Sequence, residues 1–548
     1  MSRAGRPAPQ PGVLHRSAGR RIQDPRWRRL APTLLAGALG LAYVLVSPPT
    51  QDLAAHLFRA HLFSVEGFGF WNNYWYLGHD TVGYSLLFPA AAAALTPQLA
   101  AAIAATATAA VFEPLARRHF GPEAWLGALL FGAATATNLF TGRLTFAFGC
   151  LPALGALLAL DRGRTGAACG LAALAALCSP VAALFAALAA ATYALTGWSE
   201  QGRIRPALGP LAVAICGLAP IAVLSIAFPE GGTEPFAFSA MWPILVLCAG
   251  TLLAARKDAL ELRVGAVLYA LGTIAAYIVP SPLGSNVVRL GTLIAAPLGA
   301  LLWWRRSAAL LAVAALPLLY LGWEAPVSDV WTLAGDPSTS AAYYRPLLSF
   351  LAMQSGPPFR IEVPFTRSHW EAYELATRYP LARGWERQLD VADNAIFYDG
   401  RLSALPYERW LHRNAVRFVA VPDAPLDYSA KPEASLIARG LPYLRNVFAR
   451  DHWHVYAVLH FTPIVQGAAI LEAIGPDYFT LTSQRPGSLL LHVHFSPYWA
   501  LGQSSGCVTD AGGLTRLILH RPGPVRLVMR FSLSRIGATS PRCTQATT

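Results

Sequence analysis

Leu30–Val46 reads LAPTLLAGALGLAYVLV, and Ser47–Arg59, directly after it, reads SPPTQDLAAHLFR. The first run carries no charge and approaches the ~20 residues that cross a bilayer as a helix. Arg20, Arg21, Arg26, Arg28 and Arg29 precede it. No small-residue cleavage site follows it, so the run is expected to stay in the membrane as an anchor rather than leave as a signal peptide. The second run begins with prolines and then places Asp52, His56 and Arg59 at i, i+4 and i+7, one face of a helix. Charge at a bilayer boundary is costly unless it is solvated, paired or used.

The rest of the chain extends this pattern. Of 548 residues, 54% are hydrophobic and only 13% charged, too apolar for one soluble core. Further apolar runs cover residues 99–116, 124–140, 146–160, 167–178, 181–196, 207–228, 239–255, 264–279, 290–304 and 308–322. With the first, that makes about 11 transmembrane helices. The run 167–196 is either one long tilted helix or two short ones broken at Ser179-Pro180. With the N-terminus inside, the inner segments hold 19 basic residues, from Arg3 to Arg306, and the outer loops hold Arg59, Arg143 and Arg289 alone. The bias favours this orientation and the two-helix alternative, because one long helix would invert every later loop. It also explains the net charge of +13 without nucleic acid as a partner. An Arg- and Ala-rich chain with almost no lysine fits a bacterial plasma membrane protein.

The expected organisation is a basic cytoplasmic tail, 1–29, then a polytopic domain, 30–323, with a prominent first outer loop, 47–97. An extracytoplasmic α+β domain, 324–548, ends in a β-sandwich-like part. Within it, 359–364 and 416–422 read as strands, 369–377 and 407–413 as helices, and 453–459, 488–495, 515–520 and 525–531 as strands. Five of the seven cysteines lie in apolar runs and pack as small hydrophobes. Cys507 and Cys543 lie in the outer domain and are candidates for one disulfide.

The first outer loop holds the residues that can carry chemistry. Asp52 can act as a general base or merely cap its helix. His56 and Arg59 share its face, and His79 and Asp80 are supporting groups for the same cleft, with Glu66 as a further acid. The spacing of His56, His61 and His79 matches no zinc signature. No cofactor is fixed by the sequence, although a divalent cation, Mg2+ or Mn2+, is compatible with such a carboxylate. Arg143 and Arg289 run against the topological bias on the outer side, where a guanidinium can bind a lipid-linked phosphate bidentately or simply snorkel. Trp71, Tyr74, Trp75 and Tyr84 lie in a stretch dense enough in aromatics to mark an interface, to stack an acceptor or to shape the mouth of a cleft. Trp499 either binds glycan or sits in a core. No Walker loop, GxSxG elbow or HExxH is present, which argues against nucleotide-driven chemistry.

The run from Asp52 to Arg59, the stretch Gly83-Tyr84-Ser85-Leu86-Leu87-Phe88-Pro89, and Gly142-Arg143 together resemble the GT-C superfamily of polytopic membrane glycosyltransferases. The resemblance extends to bacterial members with an extracytoplasmic C-terminal domain and covers roughly Leu30 to Trp323. It implies a GT-C-like fold, a polyprenyl-phosphate sugar donor, an acceptor glycan or lipid of the cell envelope, and transfer on the outer face among membrane lipids. It makes Asp52 the expected base and Arg289 the expected phosphate contact. The rival expectations are a transporter or lipid flippase, which needs ionisable residues deep in its spans and repeated halves, and a non-catalytic envelope assembly protein.

Overall fold

The computed structural model describes residues 26–201 and 205–544. The basic tail falls outside it except for Arg26–Arg29. The chain opens with helix α1 (Arg26–Val46), a proline turn and α2 (Gln51–Glu66). A small hairpin follows, β1 (Trp71–Asn72) with β2 (His79–Asp80), then α3 (Phe88–Leu95). The helical body continues through α4 (Pro97–Phe120), α5 (Trp125–Phe140), α6 (Leu144–Asp161), α7 (Thr165–Cys178) and α8 (Pro180–Gln201). It is completed by α9 (Arg205–Ala227), α10 (Phe238–Ala254), α11 (Leu260–Ile278), α12 (Val288–Trp303) and α13 (Ala308–Leu333).

Among the described residues, eight helical stretches are long and apolar enough to cross a membrane. One of them covers residues 97–140 and contains both α4 and α5; α7 and α10 are apolar but shorter. Each of the eleven apolar runs is occupied by a helix. The 167–196 run is two helices, α7 and α8, separated at Ser179-Pro180. Pro180 removes a helical donor, and the end of α7 is closed by the first outer loop instead. Leu86 and Leu87 donate their backbone N–H groups to the Leu177 carbonyl, at 3.0 and 3.1 Å, and Ser85 Oγ donates to the Cys178 carbonyl at 2.7 Å. Helix α13 runs to Leu333, beyond the expected boundary at 323: residues 324–333 continue its helical turns, with Val327 and Trp331 exposed and Pro326 and Leu333 buried.

The C-terminal region begins with α14 (Ala341–Ala352) and a mixed sheet. Its strands are β3 (Arg360–Glu362), β4 (Val416–Pro422), β5 (Leu444–Arg450) and β6 (Trp453–Val458), in the order β3-β4-β6-β5. Strands β3 and β4 are parallel and joined through α15 (Glu371–Glu374), α16 (Arg387–Asp393) and α17 (Ala404–Arg413); α18 (Lys431–Ala438) joins β4 to β5. The remainder is two antiparallel sheets sharing one core around Phe479, Leu491, Trp499 and Leu517. One sheet holds β7 (Val465–Gln466), β10 (Gly487–His494), β12 (Gly506–Ala511), β13 (Leu514–Leu519) and β15 (Arg542–Thr544). The other holds β8 (Ala469–Ile474), β9 (Tyr478–Ser483), β11 (Trp499–Leu501) and β14 (Gly523–Met529). Cys507 and Cys543 face each other on β12 and β15 and are joined in a disulfide.

The first outer loop is built into this region. Ala55 and Phe58 of α2, with Trp75 and Tyr76, share a core with Tyr344, Leu347, Ile361 and Trp453. Trp71 enters the sandwich core and meets Trp499 edge to face, with ring centroids 5.5 Å apart. Phe58 stacks on Trp75 at 4.5 Å. This corrects the expectation that Trp71 and Trp75 stack an acceptor. Both rings are sealed between the loop and the C-terminal sheets, where removing either is expected to cost about 3–5 kcal/mol. Tyr74 is half-buried beside them, with its hydroxyl 3.4 Å from the Ile474 carbonyl. Trp499 is likewise a core residue.

Candidate functional site

Thr50 is the N-cap residue of α2, so Asp52 occupies the first turn rather than the cap. A negative charge is favoured there by the helix dipole. The turn between α5 and α6 presses against it. Gly142, with φ of +75°, has no room for a side chain: a Cβ would stand 2.4 Å from Thr50 Oγ1 and 2.9 Å from Asp52 Cβ. This glycine sets Arg143 beside Asp52. Arg289 arrives from the start of α12, with its guanidinium 5.8 Å from the centre of the Phe146 ring. His369 comes down from the C-terminal region on the loop before α15.

Among the described residues, the Asp52 carboxylate makes no hydrogen bond or ion pair. Burial raises its pKa above the ordinary aspartate value, against the pull of Arg289, Arg143 and His369. Arg143 is pushed down to about 10 by burial and by the like charge of Arg289. The Asp52 carboxylate is therefore within electrostatic reach of Arg143 and Arg289 and also of two further acids, Asp329 of α13 and Glu234, and neither arginine neutralises it by direct contact. Several buried polar atoms around it also lack hydrogen-bond partners: Tyr43 Oη, Thr50 Oγ1, His56 Nδ1 and His369 Nδ1. Buried polar groups are normally satisfied, so these atoms leave hydrogen-bonding capacity for water or another polar group beside Asp52.

The other residues of the α2 face have structural partners. His56 is held neutral, its pKa pushed down to about 3 by burial, and its Nε2 lies 2.9 Å from the Gly142 carbonyl oxygen. Arg59 forms a buried ion pair with Glu386 and lies 4.4 Å from the centre of the Tyr84 ring. Tyr84 is within electrostatic reach of Asp52 and Arg289, so it belongs to the site.

His79 and Asp80 belong to a second cluster, with Glu230. The His79 Nδ1 lies 3.4 Å from Glu230 Oε2, and the Asp80 backbone N–H donates to the same carboxylate. Asp80 is pushed up to about 8, first by burial and then by Glu230. These two residues therefore do not join Asp52, as the sequence led one to expect. Glu66 is separate again, facing Asp477 of the sandwich.

The C-terminal region forms the roof. Gln51 Nε2 donates to the Arg367 carbonyl at 2.6 Å. Trp370 Nε1 donates to the Thr50 carbonyl at 3.3 Å, and Trp385 Nε1 to the Gln51 carbonyl at 3.1 Å. Arg387 holds Asp427 at 2.9 Å, and His369 Nε2 lies 3.6 Å from the same carboxylate. Glu234, which accepts from Ser285 Oγ at 2.9 Å, is within electrostatic reach of Asp52, Arg289 and Arg387. His369, Glu234, Arg387 and Trp385 were not singled out from the sequence. No sequence signal marked them; His369 stands out only in the structure, as a non-glycine residue at φ of +56°.

Below the charged groups lies an apolar cavity of about 360 Å3 between α4, α5, α6, α8, α10, α11 and α12. Phe146, Cys150, Leu290 and Leu293 line the part of it that follows Arg143 and Arg289 in the chain. No group of three or more His, Cys, Asp or Glu side chains among the described residues is arranged to hold a metal ion. No protein-family model and no curated protein matches this chain.

Proposed function

We propose that the protein is a membrane glycosyltransferase that moves a sugar from a polyprenyl-phosphate-linked donor to a cell-envelope acceptor. One observation carries this reading: the Asp52 carboxylate and the Arg143 and Arg289 guanidinium groups, none of which forms an ion pair among the described residues, stand over an apolar cavity between membrane helices. A lipid phosphate has this pattern of chemistry, an anion on an apolar tail. Arg289 and Arg143 would hold the phosphate, and the cavity would take the start of the prenyl chain. The acceptor hydroxyl would lose its proton to Asp52 and attack the anomeric carbon. The bond from that carbon to the phosphate oxygen would break, and its electron pair would leave with the phosphate, whose charge the arginines stabilise. The matching topology has the N-terminus in the cytoplasm, eleven crossings of a bacterial plasma membrane, and the C-terminal region outside. The asymmetry of basic residues supports it.

The test is sugar transfer by the full-length protein in liposomes supplied with radiolabelled polyprenyl-phosphate sugars and an envelope extract. Asp52→Asn is expected to lower transfer by about 10²–10⁴-fold. Arg289→Gln is expected to lower it by about 10²–10³-fold. A folded Asp52→Asn protein that transfers sugar at the parent rate would remove the transferase reading.

A further inference from the structure

A second site lies away from Asp52, where the sandwich meets the helical body. The carbonyl of Ala227, the last residue of the apolar helix α9, accepts a hydrogen bond from the Tyr498 hydroxyl. The next residue, Phe228, stacks on Phe531 at 5.5 Å and packs against Phe70 at the same distance. The segment after β14 is thus held at the end of a membrane-spanning helix, whose last turns present Val223 and Ile226 outward. In that segment Phe531 is 42% exposed and Leu533, in a short 3-10 turn, is 76% exposed.

Three arginines flank these two side chains. Arg530 precedes Phe531, and Arg535 closes the turn. Arg542 sits on β15, which the disulfide fixes to β12. Arg542 is close enough to Arg530 and Arg535 to feel their charge. Among the described residues none of the three has an acidic partner. Arg535 and Arg542 donate only to neutral groups: Pro497 at 3.2 Å, Ser540 at 2.6 and 3.0 Å, Tyr498 at 3.1 Å and the Arg530 carbonyl at 2.9 Å. Like charges held together without a counter-ion destabilise a fold unless an anion meets them.

We infer that residues 530–542 form an interfacial anchor, in which Phe531 and Leu533 enter the outer edge of the bilayer and Arg530, Arg535 and Arg542 bind anionic phospholipid headgroups. The commitment to a lipid surface rests on position, since the patch continues directly from the end of α9. The combination of apolar tips and basic flanks is that of an interfacial membrane contact. The anchor would hold the sandwich down against the membrane, and it asks nothing of Asp52, so it stands or falls apart from the transferase reading.

The experiment places a nitroxide on Leu533→Cys in the full-length protein in nanodiscs, with the labelled parent protein as the cysteine background. Collision with oxygen is expected to exceed collision with a water-soluble nickel chelate. Replacing part of the phosphatidylcholine with phosphatidylglycerol is expected to lower the nickel accessibility further. Adding Arg530→Gln is expected to shift the docked-to-undocked ratio towards water by about fivefold. Nickel accessibility of an aqueous site in both lipid mixtures would overturn the anchor. Immersion that ignores both phosphatidylglycerol and Arg530→Gln would overturn the headgroup contact.

Discussion

At Asp52 two opposing effects act on one carboxylate. The N-terminus of α2 and the nearby arginines favour its anion, while burial disfavours it, and burial wins. A base must be deprotonated to work, so transfer is expected to rise with pH through a pKa above the ordinary aspartate value of about 3.9. A pH–rate profile of kcat/KM checks this. Asp80 makes the complementary prediction on stability. In the folded protein it keeps its proton up to about pH 8, whereas in the unfolded chain it ionises near the ordinary aspartate value. Between those two pH values the folded state holds a proton that the unfolded state has released, so this group's contribution to stability falls as pH rises. Asp80→Asn cannot release a proton there. The thermal midpoint of the parent is therefore expected to fall more than that of Asp80→Asn between about pH 5 and about pH 8. Identical slopes would show that Asp80 does not titrate in this window. At this scale the sequence was informative where a residue broke a pattern. Asp52, Arg143 and Arg289 stood out as charges at a boundary that disfavours them. His369, Glu234 and Arg387 broke no pattern, since nothing local distinguishes a site residue delivered from hundreds of positions away.

Elements position these charges, and two junctions carry most of the geometry. The first is the α5–α6 turn, where Gly142 touches Asp52. Gly142→Ala forces a side chain into contact with Thr50 and Asp52 at positive φ. It is expected to cost ~1–3 kcal/mol of stability and to misplace Asp52 enough to lower transfer by about 10²-fold. Transfer at the parent rate by a folded Gly142→Ala protein would mean that the turn does not set the carboxylate. The second junction is the Arg59–Glu386 pair, which ties α2 to the C-terminal region through two side chains only 6% and 12% exposed. Glu386→Gln leaves a buried guanidinium without its counter-charge, an expected loss of ~3–5 kcal/mol. Pairing Arg59→Met with Glu386→Leu is expected to recover most of it, read as the midpoint of chemical denaturation. Element types were legible where periodicity was local. Residues 416–422 are a short apolar, valine-rich run interrupted only by Arg417 and form β4 over those same positions, and Ser179-Pro180 separates α7 from α8. The aromatic stretch 70–76 was legible as an interface but not as a core, because its covering sheets lie in a distant part of the sequence.

For the whole molecule, the main constraint is that the first outer loop and the C-terminal region share hydrophobic cores. Two pieces of chain that bury Trp71, Trp75 and Phe58 between them must lie on one side of any membrane the helices cross. A strand such as β6, lined by Trp453 and Val455, cannot exchange sides without exposing that core. The α6–α7 turn lies at the opposite ends of those helices, and it exposes Arg162 and Arg164. Its charge and its place place it on the cytoplasmic side in the topology proposed above. Cysteines introduced one at a time as Gln51→Cys, Tyr428→Cys and Arg164→Cys test this, since all three positions are exposed. In intact cells an impermeant maleimide is expected to label the first two and to reach the third only after the membrane is opened. Labelling of position 164 together with position 428 in intact cells would break the eleven-crossing topology, because the connection between them would then contain an even number of crossings. Labelling of position 428 without position 51 would contradict the shared cores themselves. The first result leaves the Asp52 cluster intact and moves it relative to the bilayer; the second removes the roof from over the cluster, and with it the site.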